Sequence, residues 1–182
     1  MLRRGGAMKL AAELWDWIKT LAIALVIVLI LHYFVFNLST VDGHSMEPTL
    51  KEEEWLFVNK FVYLTGSPKL GEVVILEEPG WMGQEKKLLV KRVVGLPGDV
   101  IEIKDQRLYR NGELVDEPYT DVPIEGNGLE PQVVSEGHYF VMGDNRHDRA
   151  SLDSRTFGAV PKELIRGRAD FILWPYSQVR SL

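Results

Sequence analysis

Hydrophobic positions fall into two regimes along the chain. From Leu21 to Phe36 the sequence is LAIALVIVLILHYFVF, sixteen residues in which His32 is the one polar interruption. As a helix rising about 1.5 Å per residue, this run covers roughly 24 Å of a bilayer core about 30 Å thick. Trp15, Trp17 and Ile18 extend it at one end and Asn37 and Leu38 at the other. No polar face interrupts it, which favours a membrane span over an amphipathic helix on a soluble core. The pattern predicts a short N-terminus over 1–13, a transmembrane signal anchor over 14–38 and a separate body over 39–182. A cleaved secretory signal has similar proportions, but NLSTVDGHSME, which follows the run, lacks a small-x-small cleavage pattern.

In the body the period shortens. Trp55–Phe61, Gly71–Glu77, Lys87–Val94, Val100–Lys104, His138–Met142 and Arg168–Trp174 are short apolar runs bounded by Gly, Pro and Asp, which predicts strands. Asn111-Gly112 sits between two further short runs. That pair favours the positive φ angles of a tight hairpin. Residues 116–137 are rich in Pro, Gly and acid, and the region at about 105–137 reads as an excursion from the main sheet. No long stretch outside the anchor has a helical period. The predicted fold class is mainly β: a single N-terminal transmembrane helix followed by a β-rich domain.

Charge adds orientation. Residues 1–20 carry a net +2 through Arg3, Arg4, Lys9 and Lys19 against Glu13 and Asp16, while residues 37–182 carry a net -7. The positive-inside rule puts the N-terminus in the cytoplasm and the body outside the plasma membrane, with the lipid bilayer as a partner. The overall charge of -5 argues against a nucleic-acid partner, which requires a basic face. With no cysteine there is no thiolate nucleophile and no disulfide framework. The four histidines lack metal-ligand spacing, and GxGxxG, P-loop and GxSxG patterns are absent, so neither a metal nor a cofactor is expected.

Three polar constellations remain. In Gly43-His44-Ser45-Met46-Glu47-Pro48, glycine and proline flank a serine closely, which suits a fixed turn able to present its hydroxyl. A serine nucleophile needs a base. His44 is adjacent, but neighbouring side chains of an extended chain diverge. Lys91 lies with Arg92 in the apolar run Leu88–Val94. Alternation sends the two side chains apart, and a lysine buried among apolar groups loses basicity until it can accept a proton. The competing reading makes both cations gatekeepers of an exposed edge strand. The third constellation, Gly143-Asp144-Asn145-Arg146 followed by Ser151-Leu152-Asp153-Ser154-Arg155, is dense in groups that orient others.

Taken together, SMEPTL, VKRVVGLPGD and GDNR with SLDSR resemble, in order and spacing, the three boxes of the bacterial type I signal peptidases. WLFVNKF, residues 55–61, is similar to a weaker strand of that family. The resemblance covers most of residues 10–175. It implies a membrane-anchored serine endopeptidase with a Ser–Lys dyad, Ser45 as nucleophile and Lys91 as general base. Ser151 would hydrogen-bond Lys91, Asp153 would pair with Arg92 or Arg155, and Asp144 would support the same loop. The implied partners are exported preproteins with small residues at the cleavage point. Two departures stand out. His147-Asp148-Arg149-Ala150 makes four residues between GDNR and Ser151 where the family usually has two, and Gly43 stands where some members carry a serine. A self-cleaving Ser–Lys repressor relative fits less well, because the chain has a span and no DNA-binding region. An anchored, non-catalytic β-domain binding an exported partner is the alternative from another class.

Position supports the resemblance. Ser45 lies nine residues beyond Phe36, within about 30 Å of the span even if extended. A substrate whose own apolar segment sits in the bilayer presents its cleavage point at that height. Trp81 and Met82, in a turn-like segment, are candidates to dip into the headgroups or to fill a buried hairpin tip.

Overall fold

A computed structural model describes residues 4–30, 35–80 and 87–182. The chain divides into two compact units, Met1–Phe36 and Asn37–Leu182. The first is helix α1 (Arg4–Ile30). Among the described residues no helix is long and apolar enough to cross a membrane. Glu13, Asp16 and Lys19 interrupt the first half of α1, and part of the apolar run, residues 31–34, lies outside the described residues. Trp81 and Met82 also lie outside them. Asn37 and Leu38, expected at the outer end of the span, instead belong to strand β1 (Phe36–Thr40).

The second unit is mainly β, as its pattern of short runs requires. Strands β2 (Trp55–Asn59), β3 (Val73–Glu77), β4 (Leu88–Gly95), β9 (His138–Met142), β10 (Val160–Pro161), β11 (Ile165–Trp174) and β12 (Arg180–Ser181) join β1 in an eight-stranded sheet. Its order is β1-β2-β11-β3-β4-β9-β10, with β12 added to β11. A smaller sheet holds β5 (Val100–Lys104), β6 (Arg107–Arg110), β7 (Glu113–Leu114) and β8 (Leu129–Val133) in the order β7-β6-β5-β8. Asn111-Gly112 closes the hairpin of β6 and β7, as expected. Short helices α2 (Val62–Thr65) and α3 (Ser154–Phe157) lie between strands. The run expected to be strand through Phe61 therefore ends at Asn59, whose side-chain oxygen accepts the Val62 N–H as the chain turns into α2.

The apolar runs are continuous because the central strands are buried on both faces. Val73 and Ile75 of β3 pack with Val41, Met46 and Leu50, while Val74 and Leu76 pack with Val93, Tyr139 and Val141. A third cluster joins Val94, Phe140 and Met142 of the large sheet to Ile101, Ile103 and Leu108 of the small one. Strand β8 has no strong sequence signal: Leu129-Glu130-Pro131-Gln132-Val133 carries a proline and few strand formers. It sits at the edge of the small sheet, where a missing N–H is tolerated.

Candidate active site

Ser45 lies in the turn between β1 and β2. The Glu47 N–H donates to the His44 carbonyl at 3.1 Å, and the Leu50 N–H to the Met46 carbonyl at 2.9 Å. Met46 and Leu50 are essentially fully buried against β3 and β11. Each such side chain contributes about 1.5–3 kcal/mol on leaving water, so the turn is bolted to the sheet by its hydrophobic positions. Gly43 enters the turn at φ +89°, where any L side chain is strained. That is a local reason for glycine at this position.

Lys91 projects from β4, and its Nζ donates to Ser45 Oγ at 2.7 Å and to the Val90 carbonyl at 2.8 Å. Its side chain is buried, only 2% exposed, which removes the edge-gatekeeper reading. Burial lowers the Lys91 pKa to about 8, aided by the nearby positive charges of Lys87 and Arg155 and opposed by the Asp153 and Asp144 carboxylates. His44 is exposed and pairs with Glu47 at 3.0 Å, which raises its pKa. Lysine, not histidine, therefore touches the hydroxyl. The two face a cleft of about 410 Å³ lined also by Val41, Met46, Ile75, Val90 and Leu152. Since β9 pairs with β4 from Arg92 onward, the Leu88–Val90 edge is left to line this cleft.

The third constellation is assembled from behind. Arg92 Nε donates to Asp144 Oδ1 at 2.8 Å and Nη2 to Asp144 Oδ2 at 2.6 Å, a buried two-pronged pair. Of the two partners expected for Asp153, it takes Arg155, through bonds of 2.9 and 2.8 Å, and leaves Arg92 to Asp144. Burial alone raises the Asp153 pKa, but Arg155, the Gly143 N–H and the neighbouring Ser151 hydroxyl together leave it lowered. Ser151 corrects the expectation more sharply. Its Oγ is buried beside that carboxylate without a well-aligned hydrogen bond to any described residue, and Lys91 does not reach it. Lys91 bonds Ser45 and the Val90 carbonyl instead.

Four contributors had no role of their own in the sequence reading. Gly143 is pressed against the site: a Cβ there would overlap the Ser45 carbonyl oxygen and the Ser151 side chain. Gly143→Ala is expected to displace the Ser45 turn and to lower kcat about 100-fold, the order of loss that follows a misplacement near 1 Å. Steady-state cleavage kinetics beside a thermal melt would check it; unchanged kcat in a folded variant would refute the close contact. Thr49 donates to the Asp144 carboxylate. Glu117 accepts two bonds from Arg146, at 2.8 and 2.6 Å, and Tyr119 stacks its ring on Arg92 at 4.0 Å. Neither has a local signature, because the contacts form across the fold.

A hydroxyl in contact with a buried amine of lowered basicity, at the rim of a cleft with a free strand edge, is an arrangement suited to serine–lysine acyl transfer. The profile of the family described as signal peptidase, peptidase S26, matches residues 14–174, and the chain belongs to that family. It is 40% identical over 180 residues to the signal peptidase I of Bacillus licheniformis, covering 92% of each chain. It is 36% identical over 185 residues to signal peptidase IB of Staphylococcus aureus strain Mu50, covering 92% of this chain and 93% of the relative. A solved signal peptidase I from Enterococcus faecalis V583 is 30% identical and matches with a TM-score of 0.46, over 56% of this chain and 96% of its own.

Proposed function

We propose that this chain is a membrane-anchored serine endopeptidase that removes N-terminal signal peptides from exported preproteins. Ser45 is the nucleophile and Lys91 the general base. The observation that carries the assignment is the 2.7 Å contact between Lys91 Nζ and Ser45 Oγ. The neutral Lys91 amine takes the Ser45 hydroxyl proton as Oγ attacks the scissile carbonyl carbon. The carbonyl electron pair moves to oxygen, which the Ser45 N–H stabilises. As the C–N bond breaks, Lys91 returns the proton to the leaving amine, giving an acyl-enzyme. Lys91 then takes a proton from water, whose oxygen attacks the ester, and Ser45 leaves as its hydroxyl.

The supporting roles follow from placement. Asp144 holds Arg92 behind β4, and Arg155 holds Asp153, whose charge partly offsets the desolvation of Lys91. Ser151 packs against Gly143 at the back of the Ser45 turn. A preprotein lying extended along the Leu88–Val90 edge would add a strand there, with small side chains next to the cleavage point entering the cleft. Membrane anchoring by the apolar segment ahead of β1, with the catalytic domain outside the cytoplasm, is favoured by two features. The side chains of residues 21–29 of α1 are exposed without a charge among them, an apolar surface that needs a non-aqueous cover. Arg3, Arg4 and Lys9 precede it.

The test is purified full-length protein in detergent, given several preproteins with Ala-x-Ala sites and their mature forms. Cleavage of the preproteins after that site, read by product mass, is the expected result. No cleavage of any preprotein by folded protein would favour an anchored binding domain instead.

A further inference from the structure

Catalysis by Ser45 requires more than a reactive hydroxyl. The Ser45 N–H has to point at the oxygen of the reacting carbonyl, and a lone turn residue has no intrinsic reason to hold that direction. In this fold the Ser45 N–H donates to no described residue, so it is unspent. The two flanking carbonyls, in contrast, each accept a bond from one residue. Asn145 Nδ2 donates to the His44 carbonyl at 3.0 Å, and the Asn145 backbone N–H donates to the Ser45 carbonyl at 3.1 Å.

The His44 carbonyl and the Ser45 N–H belong to the same planar trans peptide unit, so they point in opposite directions. Pinning the oxygen on one side aims the hydrogen to the other. The second bond pins the next plane, which leaves the backbone dihedrals at Ser45 little freedom. The orientation of the Asn145 amide is itself fixed, since its Oδ1 accepts the His147 N–H at 3.2 Å and leaves Nδ2 for His44. His147 is the first of the four residues between GDNR and Ser151. That segment therefore contributes to the site through Asn145.

We infer that Asn145 is a positioning residue for the oxyanion hole, acting by locking the His44–Ser45 peptide so that the Ser45 N–H faces the cleft. The inference rests on Ser45 being the nucleophile. It makes a distinction that a general structural role does not. Loss of the Nδ2 donor impairs stabilisation of developing negative charge on oxygen, and leaves ground-state binding and the protonation of Lys91 as they were.

Full-length Asn145→Asp and Asn145→Ala, with Ser45→Ala as control, would be compared with wild type in detergent. Asp keeps the acceptor for His147 and removes the donor to His44; it decides the matter if the Ala variant fails to fold. The expected result is a fall in kcat of about 10- to 100-fold, less than the loss of a whole oxyanion donor because the Glu47 N–H still holds the His44 carbonyl. KM should stay unchanged in both variants, and so should the pH midpoint of kcat/KM in Asn145→Ala, which adds no charge. The second readout is a substrate-like peptide aldehyde. Ser45 Oγ adds to its carbonyl carbon, the C=O electron pair moves to oxygen and the hydroxyl proton passes to Lys91, so binding reports the oxyanion hole. Its affinity should fall by the same factor as kcat, while the matching peptide alcohol, which cannot add, should bind as before. Wild-type kcat in Asn145→Asp, a loss confined to KM, or a displaced pH midpoint in Asn145→Ala would each overturn the inference. Cleavage by Ser45→Ala would overturn the nucleophile assignment instead.

Discussion

Lys91→Met is expected to lower kcat by at least about 1,000-fold while leaving the fold intact, as Ser45→Ala should also do. Methionine fills nearly the same volume in a site where Lys91 is only 2% exposed, so packing survives. The charge does not. Burial lowers the Lys91 pKa from 10.5 to about 8, so the folded state binds this proton less tightly than the unfolded chain. Below about pH 8 both states are protonated and the full cost of the buried charge is present; between pH 8 and about 10.5 it is relieved as pH rises. Lys91→Met should therefore melt no lower than wild type at pH 6, and any advantage should shrink above pH 8. Activity follows the same titration. Wild-type kcat/KM should rise with pH through a midpoint near 8, because only the neutral amine accepts the Ser45 proton. Kinetics from pH 6 to 10 and melts over the same range would check both arms. A midpoint near 10, or appreciable turnover by Lys91→Met, would remove Lys91 as the base.

Local signals marked both partners of the Ser45–Lys91 contact, and the family resemblance joined them into one reading. A serine between Gly43 and Pro48 and a lysine inside an apolar strand are each unusual in their own neighbourhood, and period-two alternation already separates Lys91 from Arg92. The main strands were legible for the same reason. What pairs with what was less so. Arg92 with Asp144 and Asp153 with Arg155 are contacts that several equally charged neighbours could have made, and only packing chooses among them. Ser151 shows the limit most clearly. Its place in the motif implied a bond to Lys91, yet the amine bonds Ser45 and the Val90 carbonyl, and Ser151 lies close against Gly143. Strand β1 was hidden because it starts on Phe36, the last residue of the apolar run, where hydrophobicity alone does not mark the change from helix to strand.

The largest effect outside the dyad is expected at Glu117, in the stretch whose sequence looks least ordered. Arg146 is fully buried, and its guanidinium gives two bonds to Glu117 while its Nε donates to the Gly143 carbonyl at 2.8 Å. Glu117 also accepts the Tyr119 hydroxyl at 2.9 Å, and the Tyr119 ring covers the Arg92 guanidinium. Residues 117–119 thus close two buried cations from outside, both within a residue or two of site groups. Glu117→Ala leaves the Arg146 charge buried without its partner, a change that costs about 3–5 kcal/mol. In a domain of this size that lowers the Tm by roughly 10 °C. Because Arg146 also fixes Gly143, which touches the Ser45 turn, kcat should fall even at temperatures where the variant remains folded. Glu117→Gln, which keeps the shape and one acceptor, should lie between the two. Removing both charges in Glu117→Ala with Arg146→Met should recover part of the lost stability, since the unpaired ion is then gone. Melting and low-temperature turnover of these variants test the coupling directly. A Glu117→Ala protein within about 2 °C of wild type and fully active would show that the excursion does not hold the site.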